Sequence, residues 1–490
     1  MVASDDFFYY AQVARNLALH GASTFDGIHR TNGYHPLWLL VLALATKLFG
    51  VGGWLHATTV VPFAAAFETV QFLLTIAIAY FAYRVLRLGC GIVVSCCIQM
   101  LLALFALVLV RSGMESGLAL AALFGLLWFR LRPGFRWTGR SSFYYGSIAG
   151  AMVLARLDSM LLVALLLAFD VWRSASLWGV RVRRGGWFCA GLLPVAAYLL
   201  LNGWYFHALL PVSGTAKQLR PLSLPSLSAL RSLLPYLGVP TFYTFGPCVL
   251  LALLAMALLW TGRRTMPRGS EGVAWAFLLF PFLHILTIVT LSDWHIWQWY
   301  LYAWPVAGAV ASAIVFAERR TGAEAVVSVG IGACYAASAL HLIFFVAILL
   351  RYYGPSSNPM YLTALDVRQF AENHPGIYAM GDRAGAVGYL ADAPVVQLEG
   401  MMMDRPFLDN IRAQRDLLRV LRQYGVRYYI YTSMQAGPDG DGCYAAKEPV
   451  QAGPDSPAMR ARICMVPVAV YRHGEYENDV FDLQGGGERQ

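Results

Sequence analysis

Residues 272–292 read GVAWAFLLFPFLHILTIVTLS, a run without an Asp, Glu, Lys or Arg. About 20 apolar residues in a helix cover the ~30 Å hydrocarbon layer of a bilayer, so this run predicts a membrane segment. Its flanks differ: RRTMPR (263–268) precedes it and the acidic, aromatic DWHIWQWY (293–300) follows it. Working outward, similar segments stand at 36–50, 58–86, 92–110, 113–130, 142–156, 158–173, 187–205, 241–260, 298–317 and 325–350, about 11 in all. The 490 residues are 58% hydrophobic and 13% charged, where a soluble domain carries about 25% charged residues. That composition excludes a soluble enzyme and a disordered chain, and no period of 20–50 residues marks a solenoid.

The net charge of +9 reflects orientation rather than a nucleic-acid surface. Fifteen basic residues fall in alternate loops (Arg84 and Arg87; Arg130 to Arg140; Arg173 to Arg184; Arg263 to Arg268; Arg319 and Arg320), and seven in the opposite loops (Arg15, Arg30, Arg111, Arg156, Lys217, Arg220, Arg231). By the positive-inside rule the first set is cytoplasmic. The stretch 142–173 then reads as two short helices with Arg156 and Asp158 at their outer turn. The stretch 36–88 needs an odd number of crossings, through a short 36–50 or a break in 58–86. Residues 1–35 and 351–490 fall on the extracytoplasmic side. No cleavable signal peptide is visible.

The fold class is therefore a polytopic α-helical membrane protein with a C-terminal extracytoplasmic α/β domain. Three regions follow: a first outer loop over 1–35, a transmembrane part over 36–350, and a domain over 351–490 that holds 17 of the 28 carboxylates. In that domain IYAMG, APVVQLEG and VRYYIYTS read as strands, 362–373 and 405–424 as helices. Gly381, Gly385 and Gly388 do not fit the dinucleotide-binding pattern. Cys90, Cys96, Cys97, Cys189, Cys248 and Cys334 lie in apolar stretches and read as buried hydrophobes. Cys443 and Cys464 form a disulfide if their domain is extracytoplasmic.

Charges beside membrane segments are costly and mark function by default. The acids outside the basic loops are Asp5, Asp6, Asp26, Glu68, Glu115, Asp158 and Asp293, and all but Glu68 fall at the outer face with His35, Arg111, Arg156, His207, Lys217 and His295. One large site at that face is the reading. Residues 4–21, SDDFFYYAQVARNLALHG, predict a short helix with Ser4 as cap and Gly21 as stop. Its stripe of Phe7, Tyr10, Ala11, Ala14, Leu17 and Ala18 suits a membrane interface. Asp5 and Asp6 are either site acids or partners of the helix dipole.

The run DDFFYYAQVARNLALHGASTFDG (5–27), followed by TNGYHPLW (31–38), resembles the first outer loop of GT-C glycosyltransferases, in the bacterial branch related to arabinofuranosyl- and mannosyltransferases. SGMES (112–116), ARLDSML (155–161), LLPVSGTAKQ (209–218), DWHIWQWY (293–300) and GDRAGAVGYLADAPVVQLEGMMMDRPF (381–407) are similar to that branch in the same order. The resemblance implies an integral enzyme of the inner membrane. It would transfer a hexosyl or pentosyl group from a polyprenyl-phosphate sugar to a glycan, glycolipid or protein acceptor of the cell envelope. The bilayer is a partner and nucleic acid is not. The family pattern has a membrane helix before the acidic pair, and an upstream helix is expected to be missing here.

The resemblance also assigns roles. One acid of the pair is the general base; Asp5 is the first choice, with Asp6 its partner. Lys217, Arg156 and Arg111 are the candidate cations for the donor phosphate. Each has a plainer reading: a snorkelling lysine, an Arg156–Asp158 pair at a helix hairpin, and an i,i+4 pair of Arg111 with Glu115. Substrate-binding candidates are Tyr34, His35, Glu115, Asp158, Trp294, His295, Trp299 and Tyr300, the aromatic block serving equally as an interfacial belt. Asp5, Glu115 and His35 are ligand types for a divalent cation (Mg2+, Mn2+ or Ca2+), although no spacing identifies one. Asp404 and Arg405 read as acceptor contacts or as plain surface. The alternatives to a transferase are a transporter or flippase, against which stand the lack of inverted repeats and of midplane charges, and a non-catalytic envelope scaffold.

Overall fold

The computed structural model describes residues 4–48, 60–172, 177–220, 224–238, 245–263, 269–317, 358–432, 435, 437–474 and 476–485. The segment expected at 325–350, the Glu68 side chain and Cys334 lie outside the described residues. Among those described, three helical stretches are long and apolar enough to cross a membrane: Thr69–Leu86, Ile92–Arg111 and Glu271–Leu291. Trp178–Gly191 and Leu193–Phe206 add a fourth if the pair, bent by 51°, is one span. Pro36–Leu48, Ser116–Leu131 and Phe245–Trp260 are apolar but shorter. Among the described residues the expected count of about 11 is not confirmed.

The best-resolved break is the one expected inside 142–173. Thr138 and Ser141 cap each other's backbone and start helix Gly139–Ala155. The helix stops at Arg156, whose backbone is extended, and the chain re-enters through a tight turn at Leu157–Ser159. Helix Met160–Leu165 follows and widens into a π-helical stretch at Leu166–Trp172.

Helix ends of like kind meet. At the arginine-rich ends, Arg130 donates to Asp170 at 2.7 Å and to the Gly269 carbonyl, Tyr145 also donates to Asp170, and Arg184 lies over the Trp137 ring. At the other ends, the Trp38 indole donates to the Gly113 carbonyl, the Val212 amide to Asn32 and Arg156 to the Trp299 carbonyl.

The C-terminal domain is built on a five-stranded sheet of order β2-β1-β3-β7-β6, from β1 (Ile377–Met380), β2 (Val395–Gln397), β3 (Val426–Thr432), β6 (Ala469–His473) and β7 (Tyr476–Asp482). β1 runs parallel to both β2 and β3, and β7 antiparallel to β3 and β6. The central β3 is buried nearly throughout, as its apolar and aromatic run requires. The stretch expected as one helix over 405–424 divides into Arg405–Arg412 and Leu417–Gln423, each capped by an Asp side chain. β4 (Tyr444–Glu448) and β5 (Met459–Ile463) form a separate antiparallel ladder, and the Cys443–Cys464 disulfide ties its open end. Cys189 is exposed and Cys96 half-buried rather than buried, since both lie toward the outside of their helices.

Helix Asp5–His20 differs from its expected interfacial position. Phe7 through Ala14 are all buried. Pro36–Leu48 and the domain's helix Ala384–Leu390 both pack on it, so protein rather than lipid covers its apolar residues. Ser4 stands at the N-cap as expected, but its side chain makes no cap bond; its hydroxyl donates to the Ser112 carbonyl at 2.9 Å. Gly21 ends the helix in the left-handed region as expected.

The domain sits tightly on the membrane part. A Cβ at Gly33 would run into the Met401 carbonyl, a backbone atom that cannot swing aside. Gly33→Ala is expected to loosen the domain, at the 1–3 kcal/mol usual for overpacking. Amide exchange across 395–403 should quicken by about tenfold or more, whereas Gly440→Ala, which has open space, should leave it unchanged.

Candidate functional site

The two acids of the first helix go to different places. The Asp5 carboxylate is half-buried and accepts the backbone N–H groups of Gly385 at 2.9 Å and Ala386 at 2.8 Å. These open helix Ala384–Leu390, directly after β1, where the chain order around β1 reverses. Open α/β sheets hold ligands at that position, and here a side chain of the same chain fills it. A Cβ at Gly385 would run into the Asp5 backbone carbonyl. Burial pushes the Asp5 carboxyl up to about 7, against the two N–H bonds that favour its charge. A second acid clasps the domain further round: Asp293 accepts the Ser456 hydroxyl at 2.6 Å and the Asp455 amide at 3.1 Å.

Asp6 lies one residue on and about 100° round the helix. It borders two chambers, whereas Asp5 borders only the outer of them. The inner one, of about 370 Å³, lies among the helix ends and is lined by Arg156, His284 and the apolar Leu161, Leu210, Ile288 and Leu291. The outer one, of about 600 Å³, lies under the C-terminal domain and is lined by Asp382, Arg383, Glu399 and Tyr476. Asp6, Lys217, Trp294, His295, Trp299 and Met401 line both and form the neck between them. Burial raises the Asp6 carboxyl to about 6, with Lys217 opposing. Burial works against the Lys217 charge, but Tyr300 and Asp6 outweigh it and its pKa is raised. The Lys217 ammonium donates to the Tyr300 hydroxyl at 3.0 Å and lies over the Trp294 and Tyr300 rings.

Arg156 is the hub of the inner floor. It is buried, and it donates to Glu115 at 2.7 Å, to Asp158 at 3.0 Å and to the Trp299 carbonyl at 3.0 Å. Asp158 also takes the Tyr302 hydroxyl at 2.9 Å and meets His284 Nε2 at 2.8 Å. His35 Nδ1 accepts the Leu157 amide, so its Nε2 carries the proton and faces Glu115 at 3.6 Å. Burial lowers the His35 pKa and keeps the ring neutral. The expected Arg156–Asp158 hairpin pair is thus present, and Arg156 lines the chamber as well. Glu115 pairs with Arg156, 41 residues away; the helix carrying Arg111 ends at that residue and Glu115 is the N-cap of the next one, so the two do not share a helix.

Of the residues expected at a site, Asp6, His35, Glu115, Asp158, Arg156, Lys217, Trp294, His295, Trp299 and Tyr300 come together around the inner chamber. Arg111 and Tyr34 line neither chamber, and the Tyr34 hydroxyl shares a hydrogen bond with Ser23. Asp404 caps helix Arg405–Arg412 and takes the Tyr424 hydroxyl, while Arg405 donates to the His207 carbonyl. Asp5, Glu115 and His35 do not form a cation site: Asp5 is held by amides and Glu115 by a guanidinium. Among the described residues no group of three or more His, Cys, Asp or Glu could hold a metal ion. Sequence reasoning missed His284, Tyr302, Asp382 and Glu399. His284 carried a usable signal, a lone polar ring in an apolar run.

The chain is similar in structure to ArnT from Cupriavidus metallidurans. The apo crystal structure matches with TM-score 0.56 at 13% identity over 88% of each chain. The structure bound to undecaprenyl phosphate matches with TM-score 0.52 at 13% identity over 94% of each chain. A complex of the Archaeoglobus fulgidus oligosaccharyltransferase with zinc and sulfate matches at 11% identity over 88% of this chain and 64% of that one, with TM-score 0.44, too remote to argue from. No family model matches, and no curated protein matches in sequence. The likeness to ArnT shows a shared fold over nearly the whole chain, as the GT-C resemblance implies.

Two outcomes follow from the buried acids. Asp5→Ala leaves two amides unmet, at a cost of about 1–3 kcal/mol, and should quicken exchange in 384–390. Burial also raises Glu448, to about 8. An acid raised by folding contributes stability below its unfolded pKa and loses it as pH rises through the folded value. The melting temperature of the purified protein should therefore fall from pH 5 to pH 8, and Glu448→Gln should flatten the slope; a rise over that range would contradict it.

Proposed function

We propose that this protein is an integral-membrane glycosyltransferase that moves a sugar from a polyprenyl-phosphate carrier to a hydroxyl of a cell-envelope acceptor. The observation that carries the reading is the neck, where a half-buried carboxylate and a half-buried ammonium, Asp6 and Lys217, face both chambers. A group-transfer site needs this pairing, with a base on the acceptor side and a cation for the departing phosphate. The polyprenyl-phosphate donor is supported by the shared fold with ArnT, which has been solved with undecaprenyl phosphate bound. Aliphatic side chains of the inner chamber suit the first prenyl units.

In this mechanism the acceptor hydroxyl lies in the neck, hydrogen-bonded to Asp6. Asp6 takes its proton as the oxygen attacks the anomeric carbon. The bond from that carbon to the phosphate oxygen breaks, and the polyprenyl phosphate leaves with the electron pair. Lys217 meets the charge that develops on the leaving oxygen. A single displacement inverts the anomeric centre. Arg156 already serves Glu115 and Asp158, so it shapes the chamber floor and contributes less net positive charge than Lys217. Asp6 replaces Asp5 as the preferred base, since the Asp5 oxygens are held by two amides; Asp5 becomes the residue that positions it. A location at the extracytoplasmic face of the inner membrane is supported by the arginine-rich helix ends on the opposite side.

The test is sugar transfer in membranes supplied with a panel of labelled undecaprenyl-phosphate hexoses and pentoses. Asp6→Asn should lower turnover by ~10²–10⁴-fold at equal expression. Lys217→Ala should lower it by ~10²-fold. The wild type should show an acid limb near pH 6, the pKa to which burial raises Asp6, with activity lost below it. If Asp6→Asn turns over at the wild-type rate while Asp5→Asn is inactive, the base is Asp5. If no donor turns over and neither Asn substitution changes the envelope glycans, the transferase reading fails.

A further inference from the structure

We infer that Asp382 and Glu399 form the acceptor-side subsite, and that this subsite takes an uncharged saccharide with free hydroxyls and no nearby phosphate or carboxylate. The inference rests on the transferase reading and names its acceptor class.

Position is the first ground. Asp382 follows β1 and Glu399 follows β2, at the carboxyl ends of neighbouring parallel strands, beside the point where the chain order around β1 reverses. Open α/β sheets bind ligands along that edge; Asp5 takes the amides at the switch point itself, and both side chains line the outer chamber beside it.

Unmet polar atoms are the second. Glu399 is 2% exposed and its Oε1 has no hydrogen-bond partner among the described residues; Oε2 has only a 3.4 Å bond from Gln397. Trp294 is 6% exposed and its indole N–H is likewise without an acceptor. Leaving a buried polar atom unpaired is costly, and a ligand hydroxyl, both donor and acceptor, can serve either atom.

Charge is the third. Asp6, Asp382 and Glu399 share the chamber, and burial followed by the charges of Asp382 and Asp6 pushes the Glu399 carboxyl well up. Of the nearby cations, Arg383 pairs with Asp382 at 3.2 Å, and Lys217, at the neck, serves the donor phosphate in the proposed transfer. An anionic acceptor would meet the acids of the chamber and compete with the donor phosphate for Lys217. An uncharged saccharide meets hydrogen-bond acceptors, and also an aromatic platform, since Trp297 is 39% exposed and stacks on Trp299 at 5.5 Å. Rings of this kind pack against the apolar faces of sugars.

The test is titration of tryptophan fluorescence in the purified full-length protein in nanodiscs. The probes are maltohexaose, mannohexaose, xylohexaose and arabinohexaose, set against hexagalacturonate and mannohexaose phosphate. At least one neutral hexasaccharide should bind saturably, and the anionic probes at least ~10-fold more weakly. Glu399→Ala and Asp382→Asn should each weaken the neutral ligand by ~10-fold. Glu399→Gln, which keeps shape and hydrogen-bonding capacity, should fall between. An anionic probe binding as tightly as its neutral counterpart overturns the inference. So does neutral binding unchanged in all three variants, or no neutral binding at all. Undecaprenyl phosphate, titrated in parallel, separates the two claims. If it binds and no saccharide does, only the subsite fails; if neither binds, the transferase reading fails with it.

Discussion

The arrangement depends on one contact, the Asp5 carboxylate on the backbone amides of Gly385 and Ala386. It joins two parts of the chain 380 residues apart and fixes the first helix in rotation as well as in place. Consecutive helical residues point about 100° apart. With Asp5 bonded to the domain at the border of the outer chamber, Asp6 is turned to the neck between both chambers. The close approach of the two backbones needs Gly385 and Gly33, since a Cβ at either position would meet a carbonyl.

The charges beneath that contact follow the rule that buried ions must be paired. Arg156 would be prohibitive alone in a membrane-level interior, and removing one partner of such a group leaves the other uncompensated. Two carboxylates, one carbonyl and two tyrosine rings surround it. Hence the floor of the inner chamber is polar, rigid and near charge balance. Lys217 differs in having hydroxyl and aromatic neighbours, so its charge faces the chambers rather than a dedicated carboxylate.

Much of this was legible in the chain. The even number of crossings between two basic loops required a turn near Arg156 and Asp158, and the turn is there. The outer loops carried the acids, the histidines and the aromatic block, and most of them do converge. Other features were illegible for definite reasons. Apolar periodicity does not say where a helix stops short, so segments ran together in number. A stripe such as Phe7, Tyr10 and Ala14 looks the same whether lipid or protein covers it. The partner of Glu115 was ambiguous because i,i+4 spacing permits a local pair, while a guanidinium 41 residues away offers a better one. Asp382 and Glu399 were hidden in an ordinary-looking soluble domain, where carboxylates are common.

By itself the sequence determined the solvent each segment prefers, the side of the membrane that its charges favour, and the inventory of groups able to do acid–base and phosphate chemistry. Those are properties of composition and short-range order, because transfer free energy and helix geometry act on neighbouring residues. Only the tertiary structure decided which acid of the pair accepts the domain's backbone amides and which borders both chambers. That choice depends on backbone amides contributed from residues 385 and 386, and no local pattern around residues 5 and 6 encodes the direction from which they arrive.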